Sequence, residues 1–566
     1  MRVERFEILY SMKKLFTLGV LVAAWTTALA CTNFLVGKNA SVDGSTIISY
    51  AADSYSFYGY LHFQPAADHP QGAVRAIKEW DTGKPLGSIP EVAHTYSVVG
   101  NTNEHQLTIG ETTWGGREEL YDTVGIDYGS LIYIALERCS TAREAIECVT
   151  SLVREHGYAS EGETFSFGDP NEIWIMDMIG RGPGEKGAVW VATRIPDDCI
   201  AAHANQARTQ GIPAPTKAAA RKAKKTGYVD MGDVLYSADI IQFARKKGLF
   251  EGKDSEFSFQ KAFNPYEFSG LLACEARVWS FYRHFSSDMD RYLPFASGQT
   301  FLATGGKDAG EAMPLYIRPE HKVSAQEIKD CMRDQYEGTP LDITQGAAAG
   351  PWHSKLRYGG LMFELDSVAY WYQRPIATQQ TAWSFVSQMR GNNPAGGIFW
   401  FGVDDAATNV YVPMYSCITA VPECMQKGNG DLYTYSPTSA WWAFNLVANK
   451  AYEKYERILP EIRTLQSAWD DRFNAQVEAI DREVEALTEV DARKLLTAYS
   501  CKQAQEVVQE WKDLYIYLIT KYIDGQERKV ENGQFLRNAY GEPEMPNRPA
   551  FPEQFLRTIA TETLHE

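Results

Sequence analysis

The chain has 566 residues, 45% hydrophobic and 13% aromatic, with 55 basic against 72 acidic residues and a formal net charge of −17. This is globular composition and excludes a disordered chain. The acidic balance argues against nucleic acid or an anionic membrane surface as partner, and the length allows two or more domains.

The first eleven residues carry Glu4 and Glu7 and do not read as an export signal, so translation is expected to start at Met12. Met12-Lys13-Lys14 is a short basic start, Leu15 to Leu29 is mostly apolar, and Ala28-Leu29-Ala30 is a small-x-small cleavage site. That is the three-part pattern of a secretory signal peptide, and it predicts an exported protein, periplasmic or extracellular, from which residues 1–30 are removed. Cleavage after Ala30 makes Cys31 the first residue. One residue then owns a thiol, which titrates near roughly 8.5, and an α-amino group, which titrates near roughly 7.7–8.0. The amine can take the thiol proton at little cost, directly or through a water. Two plainer readings compete: an ordinary buried or disulfide cysteine, and the lipidated cysteine of a bacterial lipoprotein. The lipid signal wants Leu three residues before the Cys; here that position is Ala28, with Leu29 one place late. No stretch after residue 30 is apolar enough to span a bilayer.

Cys31 to Gly37 reads as a strand, Lys38 to Gly44 as a turn rich in Asn, Ser, Asp and Gly, and Ser45 to Tyr50 as the returning strand, so 31–52 is a predicted hairpin. Further strands are expected at Ala93 to Val99, Gln106 to Gly110, Glu172 to Met178 and Val189 to Thr193, with helices at Gly129 to Cys139 and Thr141 to Glu155. Sheet segments separated by helix pairs predict a layered α+β core. The basic run Lys217 to Lys225 is expected as a solvated helix face or loop rather than a binding patch. From Ser439 the pattern changes. Apolar residues recur at three-four spacing from Tyr452 to Leu487, which marks long amphipathic helices, and Pro460 is expected to start or kink one of them. A second helical stretch is expected from Ala492 to Ile523. Packing of this region on the core is favoured over a coiled-coil partner surface. The expected organisation is 1–30 removed, 31–438 a catalytic core, and 439–566 a helical region packed on it.

Nine Cys and ten His are present. The cysteines show no Cys-x-x-Cys pair and no zinc-like spacing with His. Cys417 and Cys424 are close enough in sequence to bridge a short loop, whereas Cys139, Cys148 and Cys274 read as packed thiols. No GxSxG, HExxH, phosphate-loop or dinucleotide fingerprint stands out, and no papain-type signature surrounds Cys31. The N-terminal amine reading needs no His at all.

Several segments resemble one family. Cys31-Thr32-Asn33-Phe34-Leu35-Val36-Gly37-Lys38, then Ala40-Ser41-x-Asp43-Gly44-Ser45 and Ala52-Asp53-Ser54, resemble the start of the family C69 dipeptidases, N-terminal nucleophile hydrolases related to penicillin V acylase and bile salt hydrolase. The resemblance continues in Gly110-Glu111-Thr112-Thr113-Trp114-Gly115-Gly116-Arg117, Asp127-Tyr128-Gly129, and Phe167-Gly168-Asp169-Pro170-Asn171-Glu172-Ile173-Trp174-Ile175-Met176. It extends through His203-Ala204-Asn205-Gln206-Ala207-Arg208 and Ala273-Cys274-Glu275-Ala276-Arg277-Val278-Trp279-Ser280 to Ser439-Ala440-Trp441-Trp442. It implies a four-layer αββα sandwich of the N-terminal nucleophile hydrolase type. It also implies hydrolysis of a dipeptide or short peptide through a thioester acyl-enzyme, with no metal or cofactor. Cys31 would be the nucleophile. Asp53 would hold the new ammonium or orient the thiol, against a plain strand-end cap. Asn205 would donate to the oxyanion, against a structural turn asparagine. Arg277 would favour the thiolate, against a plain ion pair with Glu275 or another acid. A second oxyanion donor is expected around Thr112-Thr113.

There is one departure from the family pattern. The family often carries Arg a few residues before the aspartate; here Ser49-Tyr50-Ala51-Ala52-Asp53 puts Tyr50 at that place. An N-acyl amide hydrolase of the penicillin or bile salt type, and a non-catalytic lipoprotein, are the alternatives. A homo-oligomer is left open.

Overall fold

The computed structural model of the protein describes residues 31–561; the expected leader, 1–30, lies outside the described residues. The strands that build the site are, in chain order, β1 (Thr32–Val36), β2 (Thr46–Asp53), β3 (Thr108–Trp114), β4 (Gly162–Gly168), β5 (Ile173–Gly180), β6 (Ala188–Ile195), β7 (Ile200–His203), β8 (Thr381–Met389), β9 (Ile398–Val403) and β10 (Val412–Tyr415). The expected hairpin is β1–β2, paired antiparallel with Asn33 opposite Tyr50 and Phe34 opposite Ser49. Its turn is closed by Asp43, whose Oδ1 accepts from the Ser45 amide at 3.1 Å and the Ser45 hydroxyl at 2.6 Å. Gly44 takes the left-handed conformation the turn needs (φ +80°).

Two antiparallel sheets carry the architecture. The first runs Tyr316–Ile317, β7, β1, β2, β8, β9, β10; the second runs from Tyr228–Asp230 and Val234–Ser237 through β6, β5, β4 and β3 to three short strands. β1 and β2 are buried along their whole length, as expected when both faces of a sheet are covered. The alternation along β1 shows what covers each face. Phe34 stacks on Phe281 with ring centroids 4.0 Å apart, on the helix side. Asn33 turns the other way and donates from Nδ2 to the Glu111 carbonyl of β3 at 2.6 Å. Gly110 makes this approach possible, because a Cβ there would overlap Asn33 Oδ1. His203 joins the same two sheets: its ring nitrogens lie 2.7 Å from Thr112 Oγ1 and 2.6 Å from Ser166 Oγ. Burial holds its pKa far below the usual value, with Arg208 and Arg277 adding to the effect, so it is a neutral inter-sheet strut.

Helices α1 (Tyr128–Arg138) and α2 (Ala142–His156) begin at Asp127 and Thr141, whose side chains accept from the amides of Ser130 and Glu144. Their Leu131, Ile134, Ile146 and Val149 share a cluster with Phe165, Trp174 and Met176 of the second sheet. On the first sheet lie α3 (Ala276–Arg283), α4 (Ala440–Glu453), α5 (Tyr455–Val484) and α6 (Glu489–Lys521), which share a single buried cluster with β1, β2, β8 and β9. Trp511 donates from Nε1 to the Thr408 carbonyl and Ser500 to the Pro413 carbonyl, so α6 is tied directly to the first sheet's side.

Some expectations are corrected. Pro460 does not start a helix; it lies inside α5, which starts at Tyr455. The strand expected over 93–99 is two short pieces, His94–Thr95 and Val98–Val99. Cys417 and Cys424 are both free thiols. The basic run forms a largely exposed helix, Lys217–Thr226, one of the two forms expected of it. Among the described residues no helix is long and apolar enough to cross a membrane.

Candidate active site

Cys31 immediately precedes β1, a strand that pairs with β2 on one side and β7 on the other. The residue is 1% exposed. Its sulfur lies 3.4 Å from the Tyr50 hydroxyl, and the Asp53 backbone amide also faces it. Burial pushes the thiol pKa well up, and the carboxylates of Glu111 and Asp53 push it further; Tyr50 and the Asp53 amide oppose them. With an amide on its nitrogen, this thiol is therefore a poor nucleophile. A positive charge at that nitrogen would act in the opposite sense.

Asp53 ends β2 and is buried. Its Oδ2 accepts from Arg374 Nη2 at 3.0 Å and its Oδ1 from the Thr381 hydroxyl at 2.6 Å. Burial raises its pKa, and Arg374 and Thr381 hold the rise down.

Arg277, on α3, is fully buried and spreads its guanidinium over the start of β1 and the end of β7. Nη1 donates to the Cys31 carbonyl at 2.7 Å and to Thr32 Oγ1 at 2.8 Å; Nη2 donates to Asn205 Oδ1 at 2.9 Å; Nε donates to the Ala273 carbonyl at 2.7 Å. The alternative partner Glu275 pairs instead with Arg208 at 3.1 Å. Burial, then the like charge of Arg374, lowers Arg277 to about 10. Asn205 sits just past β7 in the left-handed region (φ +55°), a conformation Asn tolerates better than most residues. Its Nδ2 donates to the Thr113 carbonyl at 2.5 Å. The structure thus gathers Cys31, Asp53, Asn205 and Arg277, which lie far apart in sequence, around one strand end. The side chains of Thr112 and Thr113 are engaged by His203 and, at 3.0 Å, by Glu163.

Four further residues enter the site without having been singled out for it. Arg374 and Thr381 hold Asp53. Glu111 of β3 accepts from the Tyr50 hydroxyl at 2.5 Å and lies within hydrogen-bonding reach of the Cys31 thiol. Glu163 of β4 lies within reach of Glu111, and burial raises both carboxyls. Glu111 stands inside a quoted motif, but nothing local marks it as a neighbour of residue 31. Arg374 precedes its strand by a loop, and no spacing rule links it to Asp53.

A buried thiol at a strand start, with an arginine on its own carbonyl and a paired aspartate beside it, is a cluster of ionisable groups with perturbed pKa values of the kind that marks a candidate active site. The comparisons with known proteins agree on the family. The Peptidase family C69 model matches residues 30–468, and this chain belongs to that family. Among its relatives are a probable dipeptidase of Salmonella dublin, 25% identical over 71% of this chain and 85% of that protein, and a probable dipeptidase of Latilactobacillus sakei, 23% identical over 87% and 95%. Dipeptidase A of Lactobacillus helveticus is 22% identical over 84% and 93%.

Proposed function

We propose that this chain is an exported dipeptide hydrolase whose nucleophile is Cys31, made N-terminal by removal of residues 1–30, and that its two facing sheets with outer helices are the αββα sandwich of an N-terminal nucleophile hydrolase. In this reading 31–438 is the catalytic core and 439–566 a helical region packed on it. The observation that carries the proposal is the grip on Cys31: its carbonyl held by Arg277, its sulfur placed between Tyr50 and the Asp53 amide. A structural cysteine needs neither. The names of the relatives, all dipeptidases, support the substrate class.

The geometry supports the following mechanism. The freed α-amine takes the thiol proton and becomes an ammonium. Asp53, whose ionised form Arg374 favours against burial, faces that charge. The thiolate attacks the peptide carbonyl, and Asn205 supplies an amide donor to the oxygen that becomes negative; losing one such donor typically costs about 10²–10³ in rate. The ammonium returns its proton to the leaving amine, and water then hydrolyses the thioester. Arg277 positions this set by holding the Cys31 carbonyl and the Asn205 amide together.

The direct test is Cys31→Ser assayed on a dipeptide panel. The expected result is a folded protein with hydrolysis reduced on the order of 10³-fold or more. Near-normal turnover would place the nucleophile elsewhere.

A further inference from the structure

In a dipeptide the free α-ammonium nitrogen is two bonds from the carbonyl carbon under attack, about 2.5 Å away by standard bond lengths. Whatever pairs with that charge must therefore be an immediate neighbour of Cys31 Sγ. The candidates are few. Tyr50 is neutral. Asp53 already accepts from Arg374 and Thr381 and, in the proposed mechanism, also faces the enzyme's own amine. Glu111 is different. One carboxylate oxygen, Oε1, accepts from Tyr50; the other, the buried Oε2, forms no hydrogen bond of normal geometry among the described residues, although the carboxyl lies within reach of the Cys31 thiol and of Glu163. Glu163 repeats the pattern: Thr113 donates to Oε2, the buried Oε1 forms no such bond among the described residues, and the two carboxyls face each other.

We infer that Glu111, backed by Glu163, receives the free α-ammonium group of the substrate, so that the enzyme selects peptides with an unblocked N-terminus. This rests on the dipeptide reading given above and deepens it. Two carboxyls in contact cannot both stay ionised without a proton or a cation between them, and a bound ammonium supplies three N–H donors and the missing charge. Tyr50 has a defined part. By donating to Oε1 it fixes the Glu111 carboxylate and leaves Oε2 for the ligand. The Tyr50 Cβ lies 3.5 Å from where a Cβ on Gly110 would stand. The tyrosine that replaces the family's arginine thus places a carboxylate at the nucleophile. The binding also couples recognition to chemistry, since neutralising Glu111 removes one of the two charges that hold the Cys31 thiol protonated. A peptide whose amine is acylated brings no positive charge and leaves the thiol quiet.

The test compares kcat/KM for one dipeptide with that for its N-acetyl and desamino counterparts. The wild-type enzyme should favour the free dipeptide by about 10- to 100-fold, the range expected for hydrogen bonds to a charged group. Glu111→Gln, which keeps an acceptor for Tyr50, should lose that preference: kcat/KM falls on the free dipeptide and, with one charge against the thiolate removed, holds or rises on the two blocked substrates, while Glu111→Asp should recover part of the preference. Equal wild-type turnover of free and blocked substrates would overturn the inference while leaving the hydrolase reading intact. So would a Glu111→Gln enzyme that slows on all three by the same factor. Failure to hydrolyse any free dipeptide would instead count against the hydrolase reading itself. Should Glu111→Gln not fold, the wild-type comparison with the desamino dipeptide decides: undiminished turnover contradicts the inference.

Discussion

Arg277 donates to the carbonyl of Cys31 and not to its sulfur, so in the proposed mechanism its work is to hold geometry. The sulfur answers to other charges: Glu111 and Asp53, both of which raise its pKa. Asp53 is in turn governed by Arg374. Burial alone pushes its carboxyl up, and the Arg374 guanidinium is the largest influence in the other direction. Arg374→Met removes that influence, so the Asp53 pKa rises further and the residue becomes protonated at a higher pH. If ionised Asp53 is needed to face the Cys31 ammonium, the acid limb of the kcat/KM–pH profile moves upward by about 1–2 units, the usual size of one adjacent opposite charge. An unchanged acid limb would show that Asp53 does not act as a carboxylate.

At the level of the element, the site exists because β1 and β3 come unusually close. Gly110→Ala would drive a methyl into Asn33 Oδ1, the side chain that carries the Glu111 carbonyl. Overpacking of this kind costs about 1–3 kcal/mol, and here it also displaces Glu111. Thermal unfolding should report the lost stability, and kcat/KM should fall by more than the folded fraction explains. A fall in activity that only tracks the unfolded fraction would mean that the β1–β3 spacing matters for folding alone. The hairpin that presents Cys31 was legible in the sequence because its turn residues and apolar strands are local signals. β8, β9 and β10 were not, although they complete the sheet on which Asp53 rests. Their apolar runs lie among aromatic and Gly-rich stretches, and a period of two does not stand out where both faces are buried. Glu111 and Arg374 were missed for a related reason. Their roles arise from pairing between strands and loops 61 to 321 residues apart, which no window along the chain contains.

Across the whole molecule, the helical region is bound to the core by buried charge as well as by apolar packing. Asp470 of α5 accepts from Arg333 at 2.6 Å and lies 3.7 Å from the Lys329 ammonium, which is completely buried. Burial lowers the Lys329 pKa to about 8 even with this partner. Asp470→Asn would strand two cations, and breaking a buried pair in this way costs about 3–5 kcal/mol. Chemical denaturation should show the loss, with little change in kcat for the fraction that remains folded. A change under about 1 kcal/mol would mean that water reaches the pair. By the same argument a chain cut at residue 438 leaves Arg333, Lys329 and the face under Trp511 uncovered, and it should not yield a soluble, cooperatively unfolding protein. The family match, which runs past that boundary to residue 468, follows the same physical continuity.

The proposed catalysis turns on one event, the exposure of Cys31 as an N-terminal residue with its thiol and amine both free. The intact mass of the hydrolytically active protein tests this directly. It should correspond to a chain that begins at unmodified Cys31. Full activity in a protein whose mass begins upstream of Cys31, or includes a diacylglyceryl group on its sulfur, would contradict it.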